Sequence, residues 1–509
     1  MQQSVSALLQ LSNDQCQRAA RSHDPRFDGV FFIGVTTTRI YCRPICPARV
    51  SISSHRRFFV SAAAAERAGY RPCLRCRPEL APGRAPVDAV SRLAFAAASR
   101  IGGGALNGCS VAELARDLKV SERHLRRALE RAMGVSPVEL AQTHRLLLAK
   151  RLLADTALSV TDVAFASGFQ SLRRFNAVFQ ERYRLCPSRM RRGTRVERGG
   201  GPTAAPAIAI VEAARDVVRL TLAYRAPLGW DMLLRHLERE ALPGVERVHQ
   251  GRYLRTVRLD GRSGVVAVTD GGRAASRATG PRLDVEVSLS LLPALMPLLA
   301  RLRQLFDLDA DPVVIDTQLA QGGLAEHVAR CPGIRVPGAM EPFDVVLGSL
   351  VRGAGSRRRS SGPLARVVRE LGEPIDTGVP GLRRLAPTPA QVADAGASAL
   401  VSLGVPPGRA HALAAVAGLV VDGGLSLGAG SDVAAARRVL LAIEGISDRL
   451  ATRILTRTLY WPDAFAPSDR ALQRAAGASG PGTLRALAQR WRPWRAYAAL
   501  HLALGESAG

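Results

Sequence analysis

The chain has 509 residues, enough for three or four domains of ordinary size, and its 47% hydrophobic and 22% charged content allows real cores. A formal net charge of +27, from 70 Lys+Arg against 43 Asp+Glu, suits a polyanionic partner. No run of eighteen uncharged apolar residues appears, no basic-then-apolar leader is present, and eight cysteines in so long a chain do not make a disulfide framework. A membrane span and a secreted scaffold are therefore not expected, and a cytoplasmic protein without a membrane partner is.

The charge is uneven. Residues 1–200 carry +18 and the other 309 carry +9, so the strongest phosphate contacts are expected in the N-terminal part. Lys119 and Lys150 are the only lysines, which marks a strong bias toward Arg codons as well.

Residues 1–82 hold short apolar runs, turn residues and four cysteines. The spacing is Cys42-x3-Cys46, then 26 residues, then Cys73-x2-Cys76. Two close pairs separated by a loop are the usual way to build a tetrahedral thiolate site, so one Zn²⁺ held by four cysteines is expected. The residues around them are Thr37-Thr38, Ile40-Tyr41-Cys42-Arg43-Pro44-Ile45-Cys46 and Arg71-Pro72-Cys73-Leu74-Arg75-Cys76-Arg77-Pro78. This segment resembles the N-terminal domain of the Ada family. The resemblance implies that Cys42 accepts a methyl group from a methylated DNA phosphate, and that Thr38, Arg49 and Arg71 contact the DNA backbone. A zinc-held thiol stays deprotonated and nucleophilic at neutral pH. Four thiolates and one Zn²⁺ sum to −2, and methylating one sulfur leaves −1, which strengthens binding to phosphates. Such a site is both repair nucleophile and damage sensor.

Residues 86–192 read as helical, with Ala, Leu and Arg at helical spacing. Val111–Leu118 followed by Ser121-Glu122-Arg123-His124-Leu125-Arg126-Arg127 reads as two helices with Ser121 as N-cap. About 50 residues on, Val160–Phe169 leads to Ser171-Leu172-Arg173-Arg174-Phe175-Asn176, with Gly168 suited to the turn. The pair resembles the DNA-binding domain of AraC-type regulators. It implies a promoter-reading transcriptional activator with RNA polymerase as a further partner. Arg123, His124, Arg126, Arg173, Arg174 and Asn176 are the candidate major-groove contacts.

Residues 193–206 are a linker by composition, and 207–282 alternate in the manner of strands, notably at 217–222 and 253–259. From 283 to 505 the pattern turns helical. Arg303–Pro312, Ile334–Gly338 with Phe343, and Trp491–Tyr497 with His501 resemble the AlkA family of DNA-3-methyladenine glycosylases. The resemblance implies a small α+β subdomain over 207–282 and a helix–hairpin–helix glycosylase fold over 283–509. In that fold the stretch around Gly445 grips a DNA phosphate through backbone N–H groups. Asp469 would stabilise an oxocarbenium-like sugar and activate water for release of alkylated bases such as 3-methyladenine. The absence of lysine after Lys150 rules out a lysine Schiff base here, and Cys331 alone beyond Cys186 rules out a four-cysteine iron–sulfur cluster.

Three departures bear on activity. Ser447 stands where the family's hairpin has a second Gly, which predicts strain if the turn needs positive φ. Arg449, Arg453 and Ala503 stand where the family has pocket aromatics. The Val351–Arg359 run looks like a phosphate-binding or flexible segment.

The whole reads as a multidomain protein, mainly α with smaller α+β parts, from a bacterial, nucleoid-associated setting, with double-stranded DNA as partner. Two readings stand for the C-terminal domain: it excises alkylated bases, or it binds DNA without cutting and leaves a methylation-sensing regulator. A zinc-stabilised regulator without methyl transfer is a third.

Overall fold

The computed structural model describes residues 11–48, 53–82, 92–191, 217–272, 280–352, 362–428 and 431–505. Arg49, the 193–206 linker and most of the Arg-rich 351–359 run lie outside the described residues. The chain divides into two compact units, Met1–Tyr224 with Gly271–Ala300, and Arg225–Asp270 with Arg301–Gly509. Among the described residues no helix is long and apolar enough to cross a membrane.

The first unit opens with α1 (Asn13–Ser22), started by a capping box between Ser12 and Gln15. A four-stranded sheet follows in the order β3-β1-β2-β4, made of β1 (Phe32–Val35), β2 (Ile40–Cys42), β3 (Arg56–Phe59) and β4 (Arg71–Pro72). β1 runs antiparallel to β2 and β3, and β2 runs parallel to β4 with Ile40 opposite Arg71 and Tyr41 opposite Pro72. The parallel pairing requires a crossover, which is α2 (Ala62–Arg67), capped by Ser61. It also sets the chemistry: Cys42 ends β2 and Cys73 follows β4, so one register places both. Phe32, Tyr41, Ala65 and Tyr70 form the small core beneath.

Next come the helices α3 (Arg92–Gly102), α4 (Val111–Asp117), α5 (Glu122–Met133), α6 (Pro137–Asp155), α7 (Val160–Ala166) and α8 (Leu172–Tyr183). The last five start on Ser110, Ser121, Ser136, Ser159 and Ser171, each accepting a backbone N–H. Each such cap is worth about 1 kcal/mol, which is why helices as short as seven residues hold. α4–α5 and α7–α8 are the two helix–turn–helix units, and α6 joins them. Leu125, Leu129, Phe175 and Phe179 are fully buried, so the Arg-bearing faces of α5 and α8 point outward.

β5 (Val217–Ala223) pairs antiparallel with β9 (Arg282–Ser288) along seven residues. β9 lies where the periodicity predicts a turn to helix. Arg282-Leu283-Asp284-Val285-Glu286-Val287-Ser288 instead alternates, with Leu283, Val285 and Val287 buried, a two-residue period hidden beside a long helical stretch.

The second unit contains α9 (Trp230–Glu240), which the strand-like reading of 207–282 missed, and the antiparallel meander β6 (Glu246–His249), β7 (Arg252–Leu259) and β8 (Arg262–Asp270). In chain order the helices continue as α10 (Leu295–Leu305), α11 (Pro312–Leu319), α12 (Ala325–Arg330), α13 (Pro342–Arg352), α14 (Pro363–Leu371), α15 (Pro389–Ser402), α16 (Pro407–Val421), α17 (Val433–Leu441), α18 (Asp448–Thr458), α19 (Arg470–Ala475), α20 (Pro481–Leu487) and α21 (Arg495–Gly505). Val346, Leu350, Val367, Leu413, Val416, Leu440, Ile454 and Leu455, all fully buried, form the common core of α13, α14, α16, α17 and α18.

Gly168 holds φ +88, and a Cβ there would overlap the Asn107 side chain, which is itself held by Arg145 at 2.7 Å. A left-handed conformation costs a residue with Cβ about 1–2 kcal/mol, so Gly168→Ala is expected to lose at least that much stability, read as a lower midpoint in chemical denaturation.

Candidate zinc–thiolate centre and nucleic-acid interfaces

Cys42, Cys46, Cys73 and Cys76 converge so that all four Sγ atoms lie within 4.8 Å of one another. Cys46, Cys73 and Cys76 are buried, while Cys42 is the one partly exposed. Backbone hydrogen bonds fix the set: Cys46 N donates to the Arg43 carbonyl at 3.1 Å and Cys73 N to the Tyr41 carbonyl at 2.9 Å. Arg43 N donates to Cys76 Sγ at 3.3 Å, the contact a thiolate accepts. Hydrogen bonds among the sulfurs push Cys42 and Cys76 up from the ordinary thiol value and push Cys46 and Cys73 down. Four sulfurs this close repel one another as thiolates, and a divalent ion that prefers four sulfur ligands fits the set. The four cysteines form a site for one Zn²⁺.

Arg43 is a residue whose role the sequence did not show. It is 6% exposed, pairs with Asp28 through both carboxylate oxygens, and donates to the Cys76 carbonyl at 3.1 Å. Burial works against its charge, but Asp28, with Cys76 and Glu79, outweighs burial and holds the guanidinium above its usual value. Arg43 thus braces the cysteine loops from inside.

Cys42 opens into a cavity of about 460 Å³. Ile33, Val35 and Ile40 form its apolar wall, and Thr37, Thr38, Arg56, Arg71 and Arg75 supply donors and positive charge. Thr38 is exposed and Arg71 half-buried, both on this cavity with Cys42. Arg56 and Arg75 join them; neither stood out in the sequence, because a lone Arg in an Arg-rich chain carries no signal. Arg56 donates to Gln17 at 2.9 Å.

On the first recognition helix, α5, Arg123 and His124 are exposed, and Arg126 is half-exposed and paired with Glu122 at 3.0 Å. On α8 Arg173, Arg174 and Asn176 are exposed. All six lie in the first turns of their helices, where positive backbone ends favour phosphate and side chains reach a groove.

In the second unit the three AlkA-like stretches meet at one carboxyl. Tyr497 Oη donates to Asp307 Oδ2 at 2.6 Å, and Val336 N donates to the same oxygen at 3.3 Å. Arg335, 2% exposed, donates to the carbonyls of Ala310, Arg225 and Pro227. Burial pushes Asp307 up to about 6 against the pull of Arg335. Trp491, Trp494 and His501 are all buried, so this motif is structural.

The helix–hairpin–helix is formed by α17 and α18. Gly445 holds φ +88 at the hairpin, with Gly408 O only 3.3 Å from where a Cβ would sit. Ser447 corrects the expectation of strain. Its φ is −75, and its side chain accepts Leu450 N at 3.3 Å as the N-cap of α18. The turn needs positive φ at Gly445 and a cap at 447, and Ser serves the latter well.

Asp469 caps α19 through Oδ1, accepting Ala471 N at 3.0 Å and Leu472 N at 3.4 Å. Its Oδ2 lies 3.0 Å from Arg449 Nε. Ser468 Oγ donates to Asp448 Oδ2 at 3.3 Å, so the start of α18 holds the loop that carries Asp469. Arg453 faces elsewhere: it pairs with Glu240, to which Arg352 also donates at 3.0 Å. Burial opposes the charge on Glu240, but Arg453, Arg352 and Arg457 overcome it and hold the carboxyl down at about 2. Ala503 is exposed on α21.

A thiolate zinc centre, a double helix–turn–helix and a helix–hairpin–helix in one chain define a class of multidomain DNA-directed proteins. Family models match in the same places: the metal binding domain of Ada over residues 15–79, a helix-turn-helix domain over 114–193, and the AlkA N-terminal domain over 219–341. A Mycobacterium tuberculosis protein named "probable bifunctional transcriptional activator/DNA repair enzyme AlkA" is 35% identical over 502 residues, covering 96% of this chain and 95% of its own. The Escherichia coli "DNA-3-methyladenine glycosylase 2" is 32% identical over 287 residues, 55% of this chain and 95% of that one. The Bacillus subtilis "bifunctional transcriptional activator/DNA repair enzyme AdaA" is 27% identical over 195 residues, 38% of this chain and 89% of that one. The chain belongs to the family of bifunctional Ada–AlkA transcriptional activator/DNA repair enzymes.

Metal analysis is expected to give one zinc per chain, and none after Cys76→Ser. Groups that orient metal ligands typically contribute roughly 10–100-fold to affinity, so Arg43→Met should weaken zinc retention by that factor in a chelator competition.

Proposed function

We propose that the chain repairs methylated DNA phosphates at Cys42, activates transcription in response, and removes alkylated bases with Asp469. The observation that carries the first part is the exposure of Cys42 alone among the four cysteines, at a cavity rimmed by Thr38, Arg56, Arg71 and Arg75. A phosphotriester seated there presents its methyl carbon to Cys42 Sγ. The S–C bond forms as the C–O bond breaks, and the electron pair stays on the phosphate oxygen, restoring an ordinary diester. Zn²⁺, when bound, keeps the thiols deprotonated and offsets two of their four negative charges. The arginines neutralise neighbouring phosphates, and loss of one negative charge at Cys42 then favours tighter DNA binding.

Arg123, His124, Arg126, Arg173, Arg174 and Asn176 read the promoter in this proposal, with Thr38, Arg49 and Arg71 on the backbone and RNA polymerase as the recipient of the signal. Association with the nucleoid follows from the DNA partners. In the second unit, Gly445 offers backbone N–H groups to a phosphate, and Asp469 activates water for attack on the sugar. The C–N bond breaks, and its electron pair neutralises the cationic base, which leaves without an acid. The water proton passes to the carboxylate.

One observation favours the second reading, DNA binding without excision: Arg449 pairs with Asp469. Arg449 is 64% exposed, however, and an exposed pair is worth about 0–1 kcal/mol, so the pair costs little to open. Ser447 carries no strain. The balance supports an active glycosylase.

Mass spectrometry after incubation with methyl-phosphotriester DNA should place the added methyl on Cys42; transfer that survives Cys42→Ala rejects the assignment. Release of 3-methyladenine from methylated DNA should fall on the order of a hundredfold or more in Asp469→Asn, the usual worth of a positioned acid or base. Equal background release by both proteins would reject excision.

A further inference from the structure

One buried carboxylate joins the strand of Cys42 to the second recognition helix. Glu66, on α2, is 3% exposed. It accepts from Tyr41 Oη at 3.1 Å and Thr143 Oγ1 at 2.9 Å, and pairs with Arg182 at 3.1 Å. Tyr41 is fully buried and immediately precedes Cys42 on β2. Thr143 lies on α6, and Arg182 on α8. The carboxylate therefore ties three elements to α2 through its two oxygens.

The packing around it agrees. Ala63, on α2, belongs to the same buried cluster as Ile101, Leu125, Leu129 and Leu140 of the helical reader. Ser61 Oγ donates to the Met133 carbonyl at 2.7 Å, at the end of the first recognition helix. α8 touches β4, the strand that leads into Cys73. A second brace holds the cysteine loop to α6: Arg77 pairs with Asp155 at 2.7 Å, and Lys150 pairs with Glu79 and reaches the Cys73 carbonyl at 3.5 Å. Lys150 and Glu79 are almost fully buried, and parting such a pair strands a charge, so the cysteine loop and α6 move together.

We propose that Glu66 is a positioning residue that couples the state of Cys42 to helix α8, so that methylation reaches the promoter reader through the protein interior as well as through DNA. The inference rests on the methyl-acceptor reading of Cys42. Methylation changes both the charge and the bulk of the sulfur that ends β2. Tyr41 transmits the resulting shift of β2 to Glu66, and Arg182 transmits it to α8. A packed core and a hydrogen-bonded carboxylate respond as one body, which gives the coupling a physical path.

The test uses the full-length, zinc-loaded protein without DNA at the time of reading. Hydrogen exchange of the α8 amides is measured before and after stoichiometric methylation by a methyl-phosphotriester duplex, which is then removed. Wild type should change protection in α8 by about fivefold or more, the lower edge of typical site-to-site coupling, while Glu66→Gln and Arg182→Gln should change by less than about twofold. Zinc content and methyl uptake should match wild type in both variants. An unchanged α8 in methylated wild type, or an equal response in both variants, overturns the coupling. Should Glu66→Gln lose zinc, Arg182→Gln, whose side chain is 23% exposed, decides the matter. A wild type that takes up no methyl group rejects the methyl-acceptor reading itself. The comparison of wild type with Cys42→Ala then tests the coupling, and identical α8 exchange in those two proteins overturns it.

Discussion

Four sulfur atoms within 4.8 Å of one another impose the condition that shapes the N-terminal unit. As thiolates they repel, so they stay together only with a cation among them and a scaffold around them. A four-stranded sheet of two- to four-residue strands is a weak scaffold alone. The chain strengthens it with buried charge: Arg43 on Asp28 inside the cysteine loops, and Arg77 with Asp155 and Lys150 with Glu79 between those loops and α6. Three of the sulfurs end up inside this frame, and Cys42 is left at its mouth.

The same device recurs in the second unit, and it revises the meaning of the charge excess. Arg255 sits between Glu246 and Asp344, 3% exposed. Three guanidiniums surround Glu240, and Arg335 ties together the carbonyls of three separate residues. A planar fork with five donors suits such sites better than a lysine ammonium. A fraction of the arginine that the composition assigns to polyanion binding is therefore internal bracing. In the proposed reading, the exposed arginines of α5 and α8 and those lining the Cys42 cavity are available to DNA.

The two repair chemistries in the proposed reading need different settings. A sulfur that is consumed needs to be reachable once and to report that it has reacted, which suits a thiol at the edge of a braced centre. A carboxylate that turns over needs to be held still. Asp469 is fixed by the first turn of α19, and its other oxygen pairs with Arg449, an exposed arginine that solvent screens. The family resemblance raised doubts at Ser447 that the local backbone removes, because the residue caps a helix and the positive φ falls on Gly445 alone.

The sequence by itself determined the ligand set and the two helix–turn–helix units, and its resemblance to the AlkA family indicated the glycosylase-like fold. Cysteine spacing, serine caps and the glycine of a turn are local rules, and each acts within a few residues. It gave β5 and β7 as strands but missed α9 and β9, where a short element sits beside a longer stretch of the other period. Only the tertiary structure decided which cysteine is reachable, that Arg43 faces inward, that Arg449 meets Asp469, and that Glu66 joins Tyr41, 25 residues before it, to Arg182, 116 residues after it. Burial and long-range pairing depend on what the rest of the chain packs against a residue. In a sequence with 70 Lys+Arg, no local pattern separates the arginine that braces from the arginine that binds.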